Sequence, residues 1–232
     1  MKIEGSVALV TGANCGIGLA FARALLQHGA AKVYAGVRDP DRFNLPGCEA
    51  LQLDVTDQHQ VEAAAVAASE VTIVINNAGI MTGPGLLGGS FDGARREMEV
   101  NYLGTWAMSR AFAPILAANG GGALVNMLSV ASWRANNRFP SYSASKAAEW
   151  SLTNALRLGL REQGTLVVGV HVGYVDTDVT AGFDVPKTEP ALVAHETMRA
   201  ILNDEPEVLV DDTARNVRAA LSGPLDQLYP AT

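Results

Sequence analysis

Cysteine is scarce: the 232-residue chain holds two, Cys15 and Cys48. Two thiols cannot build a disulfide framework, so a reducing, cytoplasmic setting is expected. Charge is sparse too, at 18% of residues against 48% hydrophobic. A surface short of charge implies area hidden in an oligomer. What charge there is sums to −7, which argues against nucleic acid or anionic lipid as the main partner. No apolar run reaches the ~20 residues a membrane span needs. The opening MKIEGSVALVTGA carries Glu4 and passes straight into a strand and a glycine loop, unlike a signal peptide. The four histidines, His28, His59, His171 and His195, lack metal-ligand spacing. They are expected at the surface or in loops, with no metal. Linkers, low-complexity runs and internal repeats are also missing, so one domain over 1–232 is expected.

What is present is alternation. Short apolar runs at 7–10, 32–37, 50–53, 71–75, 123–128, 166–172 and 207–210 read as strands. Helical stretches at 17–28, 58–70, 92–118, 141–163 and 191–202 separate most of them. Strand and helix in repetition imply right-handed crossovers and a parallel sheet covered on both faces. The expected fold class is α/β, a doubly wound Rossmann fold with a mostly seven-stranded parallel sheet. Such sheets bind ligands beyond the carboxyl ends of their strands.

After the first strand comes TGANCGIG, Thr11–Gly18. Gly12, Gly16 and Gly18 permit a tight turn and a close approach to a pyrophosphate. The following helix offers free N–H groups and a partial positive charge. Cys15 inside this loop reads as a tolerated small residue. NAD usually meets an acid ~20 positions on, at the end of the second strand. Here that strand ends in Val37 and Arg38 follows. A guanidinium there can pair with a 2′-phosphate, so NADP(H) is expected over NAD(H); the alternative is a surface Arg38 paired with Asp39. Asp54 and Val55, after the third strand, are placed to flank the adenine, while Thr56 or Asp57 is equally suited to cap the next helix.

Tyr142 and Lys146 lie one helical turn apart in YSASK. A free tyrosine has a pKa near ~10, too high to exchange protons readily near neutral pH. A cation one turn away stabilises the phenolate, and residues at i and i+4 share one helix face. Ser129 on its own would read as a loop cap.

With TGANCGIG, NNAG at 76–79, VN at 100–101, NMLSVAS at 126–132 and YSASK at 142–146 in that order, the chain resembles the short-chain dehydrogenase/reductase family over nearly its whole length. The resemblance implies Tyr142 as acid/base, Lys146 as holder of the nicotinamide ribose, Ser129 on the substrate oxygen, and Asn101 interrupting its helix to hold a relay water. It places Gly12, Asn14, Cys15, Gly16, Ile17, Gly18, Asn77, Ala78 and Gly79 along the cofactor. Gly173, Val175 and Thr177 join them after the sixth strand, where Val172 stands in place of the family's usual proline. The expected activity is NADP(H)-dependent interconversion of a ketone or aldehyde with an alcohol. The alternatives are an NAD(H)-dependent alcohol dehydrogenase and a dinucleotide sensor without chemistry. The substrate is expected to be a small, mostly apolar carbonyl compound or alcohol, walled by 80–90, 133–140 and a loop at about 173–190. The resemblance also implies a homodimer or homotetramer built through helices 92–118 and 141–163, with the last strand and tail pairing with another subunit.

Overall fold

The computed structural model describes residues 1–83 and 85–229. Pro84, in the wall segment 80–90, and the last three residues of the tail lie outside the described residues. The strands are β1 (Val7–Thr11), β2 (Lys32–Val37), β3 (Cys48–Gln52), β4 (Ile73–Asn76), β5 (Ala123–Met127), β6 (Leu166–His171) and β7 (Glu207–Leu209). They form one parallel sheet in the order β3-β2-β1-β4-β5-β6-β7. The order reverses between β1 and β4, which makes their carboxyl ends the switch point where such sheets seat ligands.

Strands β1, β2, β4, β5 and β6 are buried on both faces, so they carry apolar runs rather than alternation, while the edge strand β3 is part-exposed. Val10, Ile75 and Val125 point to one face, where Phe21 and Leu25 of α1 (Gly16–Gln27) and Met198 and Ile201 of α6 (Pro190–Leu202) cover them. Leu9, Val74 and Leu124 point to the other. There they meet Val61 of α2 (Gln58–Ala67), Met108, Phe112 and Leu116 of α4 (Thr105–Ala118), and Leu156 of α5 (Pro140–Gly159).

The helix expected over 92–118 is three pieces: α3 (Phe91–Glu97), a π-helical stretch at Met98–Gly104, and α4. The Asn101 side chain explains the break. It accepts from the Ile80 amide at 2.8 Å and donates to the Ile80 carbonyl at 2.9 Å, fixing the wall that follows β4. Gly104 closes the stretch against Val55, whose Cγ2 would lie 2.6 Å from any added Cβ. Two further helices, α7 (Asp212–Ala220) and α8 (Leu225–Leu228), lie beyond the last expected strand.

Candidate active site

At the end of β1 the Thr11 hydroxyl accepts from the amides of Asn77 and Ala78, both at 3.0 Å. The Asn77 side chain donates back to the Thr11 carbonyl at 3.0 Å. These bonds lock the glycine loop to NNAG across the switch point. Gly12 and Gly16 take φ of +64° and +52°, where a side chain is strained. A Cβ on Gly18 would lie 2.1 Å from the Gly12 carbonyl, so only glycine lets α1 start this close to the turn. A Cβ on Gly16 would meet Thr177 Cγ2 at 3.0 Å, bringing the loop after β6 against the same turn. Asn14 and Cys15 are exposed, and Cys15 precedes α1 with no side-chain cap bond.

Arg38 is exposed just past β2. Asp39 pairs with Arg42 at 3.1 Å, and among the described residues Arg38 has no ion-pair partner. Asp54 is half-buried and accepts from the Thr56 amide (2.9 Å) and hydroxyl (2.7 Å). Burial pushes its carboxyl up, but the Thr56 bonds and the Arg38 and Arg96 charges hold it below its ordinary value. Asp57 is the residue that caps α2.

Beyond the glycine loop a cavity of about 270 Å³ runs past Ile17, Asn77 and Gly79 to Ser129, Tyr142 and Lys146. Met81, Phe139, Tyr174 and Val179 supply apolar lining, while Trp133 is buried and outside it. Ser129 Oγ accepts from the Ala131 amide at 3.1 Å, so it caps the loop and keeps its own proton to donate. Lys146 is 5% exposed and donates to the Met127 carbonyl (2.8 Å) and to Glu149 Oε2 (2.6 Å). Gly79 closes the wall here: a Cβ on it would lie 3.3 Å from Asn101 Oδ1 and 3.6 Å from Lys146 Nζ.

Burial raises the Tyr142 phenol, the Lys146 charge and the Ser129 hydroxyl pull it down, and Glu149 and Glu97 push it up again. The net direction is up. The expectation that Lys146 lowers this pKa therefore holds for its own contribution and is outweighed by burial and two carboxylates. Burial alone would depress Lys146, but the Glu149 charge leads the contributions that hold its ammonium above the ordinary value.

Three site-supporting residues escaped the sequence reading. Glu149 follows Lys146 at i+3 on the inward face of α5, and that phase was its only signal. Asp211 caps α7 at the Ala214 amide (2.7 Å) and accepts from the Gly173 amide (2.8 Å) and the Thr188 hydroxyl (3.1 Å). It pins the loop from outside where Val172 replaces proline. His171 is the correction: expected at the surface or in a loop, it is fully buried at the end of β6. Its ring stacks on Trp133 at 3.6 Å, with Nδ1 3.3 Å from the Ser129 carbonyl. Among the described residues no group of His, Cys, Asp or Glu could hold a metal ion, and no helix is long and apolar enough to cross a membrane.

A glycine cradle at a doubly wound switch point, opening into a cavity lined by Ser129, Tyr142 and Lys146, is the architecture of a dinucleotide-dependent oxidoreductase. The short chain dehydrogenase family model matches residues 6–186, and the chain belongs to that family. A short chain dehydrogenase from Burkholderia cenocepacia J2315, solved in complex with NADP, is 37% identical with a TM-score of 0.94, covering 99% of this chain and 98% of that one. A short chain dehydrogenase/reductase from Burkholderia phymatum in complex with NAD is 25% identical with a TM-score of 0.85, covering 95% of both chains. Galactitol 2-dehydrogenase of Agrobacterium fabrum (strain C58) is 34% identical over 187 residues, 76% of this chain and 73% of that protein.

Proposed function

We propose that the protein is an NADP(H)-dependent carbonyl reductase or alcohol dehydrogenase in which Asn101, Ser129, Tyr142 and Lys146 carry the reaction. The single observation behind this reading is that Ser129, Tyr142 and Lys146 line one cavity, continuous with Ile17, Asn77 and Gly79 beside the glycine turn. Gly12, Asn14, Cys15, Gly16, Ile17 and Gly18 would cradle the pyrophosphate, with Asp54 and Val55 beside the adenine. Ala78, Gly173, Val175 and Thr177 would flank the nicotinamide end. Arg38, exposed and with Asp39 taken by Arg42, would meet a 2′-phosphate.

When bound, the nicotinamide supplies or takes the hydride. In the reductive direction the Tyr142 hydroxyl gives its proton to the carbonyl oxygen as negative charge develops there. The Ser129 hydroxyl donates to the same oxygen. Lys146 stabilises the phenolate left behind, since opposite charge at short range favours the ionised form. The apolar lining from Met81, Phe139, Tyr174 and Val179 suits a small, mostly apolar ketone or alcohol. The chain would act as one dinucleotide-binding and catalytic domain, with the loop at about 173–190 as a substrate wall. It would assemble as a homodimer or homotetramer in the cytoplasm.

Tyr142→Phe tests the chemistry. With a panel of carbonyls followed at the reduced cofactor's absorbance, turnover should fall on the order of 10²–10⁴-fold, with cofactor affinity nearly unchanged. Normal rates in that variant would overturn the assignment. Calorimetric titration with NADPH against NADH tests the cofactor: NADPH should bind more tightly, and Arg38→Asp should abolish the preference.

A further inference from the structure

Among the described residues Glu149 is the one carboxylate bonded to the proposed catalytic pair, and nothing in the chemistry above requires it. It is 1% exposed. Its Oε2 accepts a hydrogen bond from Lys146 Nζ at 2.6 Å, and its Oε1 accepts from the Thr105 hydroxyl at 3.3 Å. Thr105 begins α4 just after the π-helical stretch, and its carbonyl is bonded in turn by Ser109 Oγ at 2.7 Å. The carboxylate is thus held from two elements. Tyr142, Lys146, Glu149 and Thr153 sit at helical spacing on one face of α5, with the last three buried. An ammonium has three protons to donate. The Met127 carbonyl and Glu149 take two, which leaves one direction free toward the cavity.

We propose that Glu149 is a positioning residue of the Tyr142–Lys146 pair: it fixes the lysine's direction and cancels part of the positive charge that would stabilise Tyr142 phenolate, biasing the site toward proton donation. This rests on the reading of Tyr142 as the acid/base. Charges in a dry interior act more strongly than in water, and the lysine does not face the phenol as a lone cation. The other groups that act on Tyr142 are Glu97 from α3, whose charge opposes phenolate, and the Ser129 hydroxyl, which favours it. His171 of β6 is close enough to feel the Lys146 charge and is held neutral. Glu97 is buried, and its Oε1 accepts from the Thr82 amide at 2.6 Å and hydroxyl at 3.0 Å; among the described residues it makes no bond to Lys146. Among the described residues Glu149 alone pairs directly with the cation.

The test is a phenolate-absorbance titration of the protein saturated with oxidised cofactor, with Tyr142→Phe subtracted to isolate the one phenol among five tyrosines. Glu149→Gln keeps the shape and removes the charge. It should move the Tyr142 ionisation down by about one pH unit, the scale on which a neighbouring charge acts. The rising, acid-side limb of alcohol oxidation, which reports the phenolate acting as base, should move with it. Thr105→Val loosens the carboxylate without touching the pair and should shift the same transition downward by a smaller amount, so it decides the matter if Glu149→Gln does not fold. An unshifted Tyr142 transition in the folded Glu149→Gln protein, or in Thr105→Val where Glu149→Gln fails to fold, would overturn the proposal. Failure of the underlying reading looks different: Tyr142→Phe would then keep its turnover, whatever Glu149→Gln does to the titration.

Discussion

His171 sits where a strand ends beneath the cavity, and its chemistry is that of a buried base. Burial lowers its pKa to about 3, with the Arg157, Arg218 and Lys146 charges adding to the effect against the bond to Ser129. The folded protein holds it neutral, while the unfolded chain binds a proton near the ordinary value of ~6.5. Stability from this residue is therefore complete above pH ~6.5 and declines as pH falls toward 3, by at most about 1.4 kcal/mol per pH unit. His171→Phe keeps an aromatic ring against Trp133 and should flatten that slope in urea titrations between pH 6 and 4, working pH values set by the ~6.5 reference. Gly18 obeys a steric rule instead. Gly18→Ala would drive a methyl into the Gly12 carbonyl, and calorimetry should find cofactor binding lost or strongly weakened. The two residues differ in legibility. Gly18 announces itself by spacing within TGANCGIG, whereas His171 is marked only by its place in the apolar run 166–172, the other three histidines lying in helical stretches. Its burial follows from the register that pairs it with Leu209 of β7, a contact across 38 positions of chain.

At the scale of elements, the five inner strands were legible because a strand buried on both faces is a short apolar run between breakers, and the edge strands β3 and β7 showed only as shorter, less buried runs. The order of those strands in the sheet was not legible, because more than one order is doubly wound. The helices were less legible where tertiary contacts override local period. Nothing in the periodicity of 92–118 marks the π-helical stretch, because its cause is Asn101 bonding the backbone of Ile80, 21 residues away. The motif that resembles the family hinted at it; the pattern of apolar residues did not. α7 was missed although Asp211 is a good cap, since the reading ended with the last strand. That cap also carries a loop. Asp211→Ala removes the bonds to Ala214 and Gly173 together and should lower stability by about 1–2 kcal/mol. Weaker NADP(H) affinity should accompany it as Gly173 is released, measured by thermal denaturation and calorimetry on the same sample.

For the whole molecule, the covering of α4 and α5 is unfinished. Leu103 (46%), Trp106 (41%) and Leu158 (68%) are exposed along the π stretch, α4 and α5. A second copy of the chain covering this face would account for both the apolar surface and the low overall charge. Light scattering at micromolar concentration should report a dimer or tetramer, and Trp106→Glu should lower the mass toward that of one chain.

The reversal of strand order has a mechanical meaning as well. The first three strands join the remaining four through a single ladder, Ala8, Leu9 and Val10 against Ile73, Val74 and Ile75. A dinucleotide lying over the carboxyl ends of β1 and β4 would grip both sides of that seam, like a bolt through a hinge. Saturating ligand should then do more than add binding energy: at ~100 times its dissociation constant it adds about 2.7 kcal/mol to folding, and limited proteolysis should slow most at the joint between the two halves.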